Sequence, residues 1–261
     1  MSKELITHLD SRGVLKITMD RPDVHNAFDE QQIAQLSDVL EKASSNNEVR
    51  IVVLGSAGKH FCAGADINYM QRMGEHSFEE NRVDAAALAR LMQLLNTVPK
   101  PTITRVQGAA YGGAVGLICC SDFAIGASSA VLSMSEVRIG LVPATIAPYV
   151  IRAIGQRAAR RLFISGERVA APAAQTLGML HSVVDDEQLD DAVNGVVDAL
   201  LENSPNAMAI SKQLVFSMSD DVVSQDMIDQ SVEIIANIRE SEEGKEGVSA
   251  FLDKRSPSWI R

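Results

Sequence analysis

Apolar residues along this chain follow two spacings. In Val14–Met19, Arg50–Leu54, Thr102–Gln107, Asp122–Gly126 and Val131–Ser133 they form short runs rich in β-branched residues, which predicts strands. Between these runs they recur every three or four positions, which predicts helices with one buried face. Ile33, Leu36, Leu40 and Ala43 make one such face. Ala87, Leu88, Leu91, Leu95 and Val98 make another within Val83–Val98. The first helix opens at Asp29-Glu30-Gln31-Gln32, which has the form of a capping box, a side-chain acceptor followed three residues later by Gln. Pro99 and Pro101 end the second. A turn at Asp20-Arg21-Pro22-Asp23 closes the first strand, and an apolar helix runs to about Cys120.

This alternation of β and α predicts right-handed βαβ crossovers. From Ala144 onward the strand signal fades. Ile146–Ile154, Gln156–Ile164, Pro172–Leu177, Leu189–Leu201, Pro205–Ser217, Val222–Ile238 and Glu243–Leu252 all read as helices, the earlier ones separated by Gly155, Gly166 and Gly178. The expectation is a strand-rich N-terminal half and a helical C-terminal portion, without internal repeats.

The bulk numbers narrow the function. A chain of 261 residues, 46% apolar and 22% charged, has the makeup of a soluble globular enzyme. Aromatics are only 4%, so Ala, Val, Ile, Leu and Met must build the core. A net charge of −10 argues against a nucleic-acid partner, which needs a basic face. The three cysteines, Cys62, Cys119 and Cys120, are an odd count with two adjacent in an apolar run, and so make no disulfide framework. No CxxC or HxxxH spacing suggests a metal site. Met1-Ser2-Lys3-Glu4-Leu5 lacks the apolar stretch of a signal peptide, and no apolar run is long enough to span a membrane. A cytoplasmic protein is expected.

The chemistry concentrates in two glycine-rich turns. One is His60-Phe61-Cys62-Ala63-Gly64-Ala65-Asp66-Ile67, the other Gly108-Ala109-Ala110-Tyr111-Gly112-Gly113-Ala114-Val115-Gly116. Each follows a strand-like run and leads into a helix. Small-residue turns at helix starts leave backbone N–H groups bare, and two such groups aimed at one point make an oxyanion hole. A single turn of this kind is more often packing; the pair is less often accidental. Taken by itself, Asp66 reads as the cap of the helix after the first turn. Cys62 has no matching base in sequence and reads as a packing residue, and Cys119 and Cys120 read as core.

Further segments join these turns in order: Arg21-Pro22 with Asn26-Ala27, Ser135-Glu136 through Pro143, and the ending Phe251-Leu252-Asp253-Lys254-Arg255-Ser256-Pro257-Ser258-Trp259. Over nearly its whole length the chain resembles the enoyl-CoA hydratase/isomerase (crotonase) superfamily. The resemblance implies an α/β fold, a spiral of ββα units, with the acyl-CoA site in a core spanning 1–200. A helical C-terminal region, 201–261, would mediate trimerisation, as a homotrimer or a dimer of trimers. It also implies an acyl-CoA thioester substrate and no metal or redox cofactor, coenzyme A entering only as part of the substrate. On the family's pattern, the backbone N–H groups of Ala65 and Gly113 form the oxyanion hole, and Glu136 moves a proton at the α and β carbons of the acyl chain. Gly112-Gly113 opens an apolar helix whose positive end adds to oxyanion stabilisation. Val24, Ala27, Ala63, Ala65, Asp66, Ile67, Asn68, Gly112 and Gly113 would bind the thioester and its coenzyme A. Many relatives carry Lys where this chain has Asn68, and Lys254 is a candidate replacement, from this chain or a neighbouring subunit.

One position departs from the pattern. Typical hydratases carry a second glutamate where this chain has Gly116. Two carboxylates can hold and polarise a water between them, whereas one shuttles a proton but positions water less well. Single-glutamate members include Δ3,Δ2-enoyl-CoA isomerases as well as some hydratases. The segment Gly140-Leu141-Val142-Pro143-Ala144-Thr145-Ile146-Ala147-Pro148-Tyr149-Val150 is similar to bacterial hydratases of branched-acid catabolism that act on 3-methylglutaconyl-CoA or isoprenoid analogues. The distal carboxylate of such a substrate needs a partner, for which Arg72, Arg82 and Arg138 are candidates. Ser133, Ser135, Tyr111 or a residue of the stretch Met73–Asp84, expected to be mobile, would hold the water. Hydratase is the leading expectation, with an isomerase using the same glutamate and a non-catalytic CoA-binding member as alternatives.

Overall fold

The computed structural model describes residues 4–219 and 222–260; the leader reading at Met1–Lys3 lies outside them. The strands β1 (Leu5–Leu9), β2 (Val14–Met19), β3 (Ile51–Ser56), β4 (Thr102–Val106), β6 (Phe123–Ala127) and β9 (Ser182–Val184) form one six-stranded sheet in that order. Only β1 runs antiparallel to its neighbour. A smaller sheet joins β5 (Ala109–Tyr111), β7 (Val131–Ser133) and β8 (Val169–Ala170).

The large sheet is apolar on both faces, which is why its strands read as short continuous runs. Leu15, Ile17 and Met19 of β2 and Val52 and Leu54 of β3 face the main core. That core also takes in α1 (Glu30–Ser45), α3 (Phe78–Thr97), α4 (Gly113–Cys120) and α5 (Ala147–Ser165). Val14, Ile51, Val53, Ile103 and Ile125 face the opposite way, and Leu189, Val193 and Val197 of α7 (Leu189–Leu201) cover them.

The predicted α1 face is buried as expected, and Asp29 accepts from Gln32 N at 2.8 Å. The reciprocal half of the box is missing: the Gln32 amide is buried without a partner among the described residues. A complete capping box sits instead at Ser77 and Glu80, opening α3 five residues before the sequence pattern began it. Ala87 is exposed; only the C-terminal half of α3 is sunk in the core, through Leu91, Met92 and Leu95. Met73–Asp84, the stretch expected to be mobile, spans the end of α2 (Ile67–Glu75), the link His76-Ser77 and the capped start of α3.

The strand signal also returns after Ala144. β8 and β9 have two and three residues, too short for periodicity to register. The helix signals hold better. Leu189–Leu201 and Pro205–Ser217 (α8) match their predicted bounds. Gly155, at φ 75°, interrupts α5 where a break was read. α6 (Ala171–Leu177), α9 (Gln225–Glu240) and α10 (Glu242–Asp253) complete the chain. The C-terminal helices are tied to the sheet. Lys212 of α8 pairs with Asp122 at 2.8 Å, and Arg50 donates to the carbonyls of Leu201, Asn203 and Trp259. No helix of the described residues is long and apolar enough to cross a membrane.

Candidate active site

The first turn is held by the segment that precedes α1. Arg21 bridges two helix caps: its guanidinium lies 2.6 Å from Asp29 and 3.2 Å from Asp66. Asp66 caps α2 by accepting from Asn68 N and Tyr69 N, so the capping role read from sequence is the one it fills. Asn26, fully buried at φ 55°, accepts from Arg21 N and donates to the carbonyls of Ala57 and His60. The Arg21-Pro22…Asn26 motif is therefore the frame of the first turn.

Phe28 joins the two turns. Its N–H donates to Gly64 O and its C=O accepts from Asp66 N, each at 2.7 Å, which leaves the intervening Ala65 N–H pointing away from Phe28. Its ring supports the second turn, lying 3.3 Å from where a Cβ on Gly113 would sit. Cys62 pairs with Ala110 across the turns, donating to Ala109 O and accepting from Tyr111 N. Gly112, at φ 56°, makes the left-handed turn that starts α4, and its N–H is taken by Ser133 O at 2.9 Å. The N–H groups of Ala65 and Gly113 donate to no acceptor among the described residues. Both residues lie at accessible positions, Ala65 exposed and Gly113 half-buried.

Glu136 faces the second turn. It opens a 3-10 helix, Glu136–Ile139, and its Oε1 lies 3.2 Å from where a Cβ on Gly112 would sit. It makes no ion pair with Arg138. Its Oε2 is buried without a partner among the described residues. Burial pushes its carboxyl above the ordinary carboxylate range. A carboxyl oxygen buried without a partner is a poor choice for stability alone.

Gly116 does not open into this site. It is buried, and a Cβ there would lie 2.3 Å from Ile146 Cγ2 and 3.0 Å from Met92 Sδ. The place of a second carboxylate is filled by core packing. Gly116→Glu is expected to lower the melting temperature sharply, because it overpacks this contact, at about 1–3 kcal/mol, and buries a charge. Thermal unfolding checks this; a wild-type melting temperature would refute the packing argument.

The other predicted residues divide. Val24, Ile67 and Asn68 are exposed beside the first turn, Ala63 is half-buried, and Ala27 is buried. Lys254 makes no hydrogen bond or ion pair with either turn of its own chain among the described residues. It caps α10 in the left-handed conformation, and α10 packs chiefly on α8 and α9. Ser133 Oγ is spent on Gly166 O, whereas Ser135 Oγ has no partner among the described residues. Arg72 and Arg82 are taken by Glu30 and Glu79. Cys62 is buried, and its thiol is pushed up to about 12, as expected of a packing residue. Burial also raises the thiols of Cys119, which is half-buried, and Cys120. Sequence reasoning missed Phe28 and the bridging of Arg21, because both act through the fold rather than through a motif.

Two N–H groups without acceptors among the described residues, on turns that Phe28 joins, and a half-buried carboxyl against the second turn are groups of the kind that can hold negative charge on a carbonyl oxygen and move a proton. The sequence profile of the Enoyl-CoA hydratase/isomerase family matches residues 10–261, and the chain belongs to that family. A crystal structure of an enoyl-CoA hydratase from Shewanella pealeana is 50% identical, superposes with a TM-score of 0.95, and shares 98% of this chain and 96% of its own. Pseudomonas aeruginosa AtuE is 33% identical with a TM-score of 0.95, over 99% of this chain and 100% of its own. The 1,2-epoxyphenylacetyl-CoA isomerase of Escherichia coli is 29% identical over 99% of both chains. The fold is that of the crotonase superfamily, whose members act on acyl-CoA thioesters.

Proposed function

We propose that this protein adds water to an α,β-unsaturated acyl-CoA. The observation that carries the reading is the half-buried Glu136 carboxylate beside the Gly112–Gly113 turn, its Oε2 buried and without a partner among the described residues. The thioester oxygen sits between the N–H groups of Ala65 and Gly113. Glu136 takes a proton from water as the water oxygen bonds to the β carbon. The double-bond electrons move into the thioester, and the resulting enolate oxygen is held by the two N–H groups. Protonated Glu136 then returns the proton to the α carbon. One water is consumed and the carboxylate is regenerated. The exposed positions Val24, Ala65, Ile67 and Asn68, with half-buried Ala63 among them, suit the coenzyme A moiety, with Ala27, Asp66 and Gly112 shaping that path. Exposed Val232, Ile235, Phe251 and Leu252 suit a trimerising role for the C-terminal helices.

The substrate proposed is 3-methylglutaconyl-CoA or a related branched thioester. Its support is the Gly140–Val150 segment together with Arg138. Unlike Arg72 and Arg82, Arg138 has no carboxylate partner among the described residues, and it sits two positions past Glu136. The test is competition between 3-methylglutaconyl-CoA and a straight-chain 2-enoyl-CoA, read by product mass. Preferential gain of water by the branched thioester is expected, and preference for the straight chain would refute the substrate assignment. Arg138→Ala is expected to raise KM for the branched thioester about 10-fold or more, as for a lost charge-assisted hydrogen bond, and to leave the straight chain unchanged.

One observation favours a second reading. Ile146 and Met92 fill the space at Gly116, so a single carboxylate serves the site. One carboxylate suffices to carry a proton from the α to the γ carbon, the isomerase reaction. Conversion of a 3-enoyl-CoA to its 2-enoyl isomer, without hydration of either, would favour it.

A further inference from the structure

We propose that His60 is a positioning residue that sets the register of the two oxyanion turns by accepting a backbone hydrogen bond from the second turn. The inference rests on the oxyanion-hole reading of Ala65 and Gly113. Ala109 N donates to His60 Nδ1 at 3.0 Å. His60 opens the first turn, and Ala109 is the first residue of β5, which leads directly into Gly112 and Gly113.

The imidazole supplies an acceptor that the fold otherwise lacks. Along β5 the neighbouring bonds are all backbone: Phe61 N to Gln107 O, Cys62 N to Ala109 O, and Tyr111 N to Cys62 O. Ala109 N–H lies on the same edge, and its acceptor is the His60 ring rather than a backbone carbonyl. The approach is close by construction. Gly108 has φ +57°, and a Cβ there would lie 2.2 Å from Lys59 O and 2.7 Å from His60 Nδ1.

The backbone that carries the ring is itself fixed. The His60 carbonyl accepts from Asn26 Nδ2 at 2.8 Å and Ser56 Oγ at 3.0 Å, and Gln107 Nε2 donates to the carbonyls of Ser56 and Gly58. An acceptor at Nδ1 requires the neutral Nε2–H tautomer, since a proton on Nδ1 would oppose the Ala109 N–H. The cationic or titratable groups facing the ring are His25, edge-on at 5.0 Å between centroids, and Lys59. Burial first, then these two groups, holds the imidazole below its ordinary titration range and keeps the acceptor in place. An oxyanion hole depends on donors placed to within a fraction of an ångström, so loss of this tie acts on the transition state more than on thioester binding.

The test combines side-chain and amide NMR with steady-state kinetics on His60→Asn and His60→Leu. Asn presents its Oδ1 near the place of Nδ1; Leu presents no acceptor. The expected result is the Nε2–H tautomer in the wild type at neutral pH, with an Ala109 amide that exchanges slowly in the wild type and in His60→Asn but rapidly in His60→Leu. His60→Leu is expected to lose about 10–100-fold in kcat with KM within about 3-fold, and His60→Asn to stay within about 3-fold in both. An Nδ1–H tautomer in the wild type would overturn the proposal, even if a variant failed to fold. So would equal kcat losses in the two variants, or a wild-type kcat in His60→Leu. A wild-type enzyme that turns over no enoyl thioester would instead defeat the functional reading, and the tautomer and the Ala109 exchange rates would still decide the role of His60.

Discussion

Glu136→Gln is expected to lower kcat for hydration by about 10²–10⁴-fold, the range for loss of a general acid–base group. With one carboxylate serving both proton transfers, no second group takes over. Steady-state rates check this, and a variant within about 3-fold of wild type would remove Glu136 from the mechanism. The pH dependence follows from the environment. Hydration needs the ionised carboxylate first, so kcat/KM should fall as pH drops through the Glu136 titration. Burial raises that titration, so the acid limb should lie above the ordinary value of 4.5. The same shift has a stability consequence of opposite sign. The folded state binds the Glu136 proton more tightly than the unfolded state does. Its contribution is therefore favourable below 4.5 and is lost as pH rises through the raised value. Glu136→Gln should accordingly melt above wild type at pH values beyond that titration, and the gap should close on acidification. Loss of activity with gain of stability would mark a carboxyl kept for chemistry.

Gly113→Pro is expected to lower kcat by about 10²–10³-fold, the cost of one oxyanion donor, with little change in the affinity for a saturated acyl-CoA. Gly113 is the first residue of α4, where a helix tolerates proline because that N–H has no intrahelical acceptor. The substitution thus removes a donor that the fold does not use. Its ring must share space with Phe28, which lies 3.3 Å from a Cβ at this position, so a modest loss of melting temperature is expected alongside. Rates, calorimetric binding of the saturated thioester and thermal unfolding separate the two effects. An unchanged kcat in a folded variant would place the oxyanion elsewhere.

Much of this arrangement is legible in sequence because it is local. Helix faces such as Ile33, Leu36, Leu40 and Ala43 follow from periodicity, and Gly112 and Gly155 mark backbone that must turn left-handed. Asp66 as a cap needs only its neighbours. What sequence does not disclose is which distant segments share a contact. β8 and β9 are too short to carry a pattern and exist because β7 and β6 offer them edges. The meaning of Gly116 depends on Ile146 and Met92, thirty and twenty-four residues away in the chain. Sequence shows that the second acid is absent; packing shows that no room is left for one. The reach of Arg21 to both Asp29 and Asp66, and of Phe28 to both turns, has no local signature at all.

The central claim is that a single carboxylate, Glu136, hydrates an enoyl thioester held by the Ala65 and Gly113 N–H groups. The most direct measurement is product mass after incubating 3-methylglutaconyl-CoA and a straight-chain 2-enoyl-CoA in ¹⁸O-labelled water with wild type and Glu136→Gln. The account predicts one labelled water gained with wild type and essentially none with the variant. No gain with wild type on either thioester, or equal gain with both proteins, would contradict it.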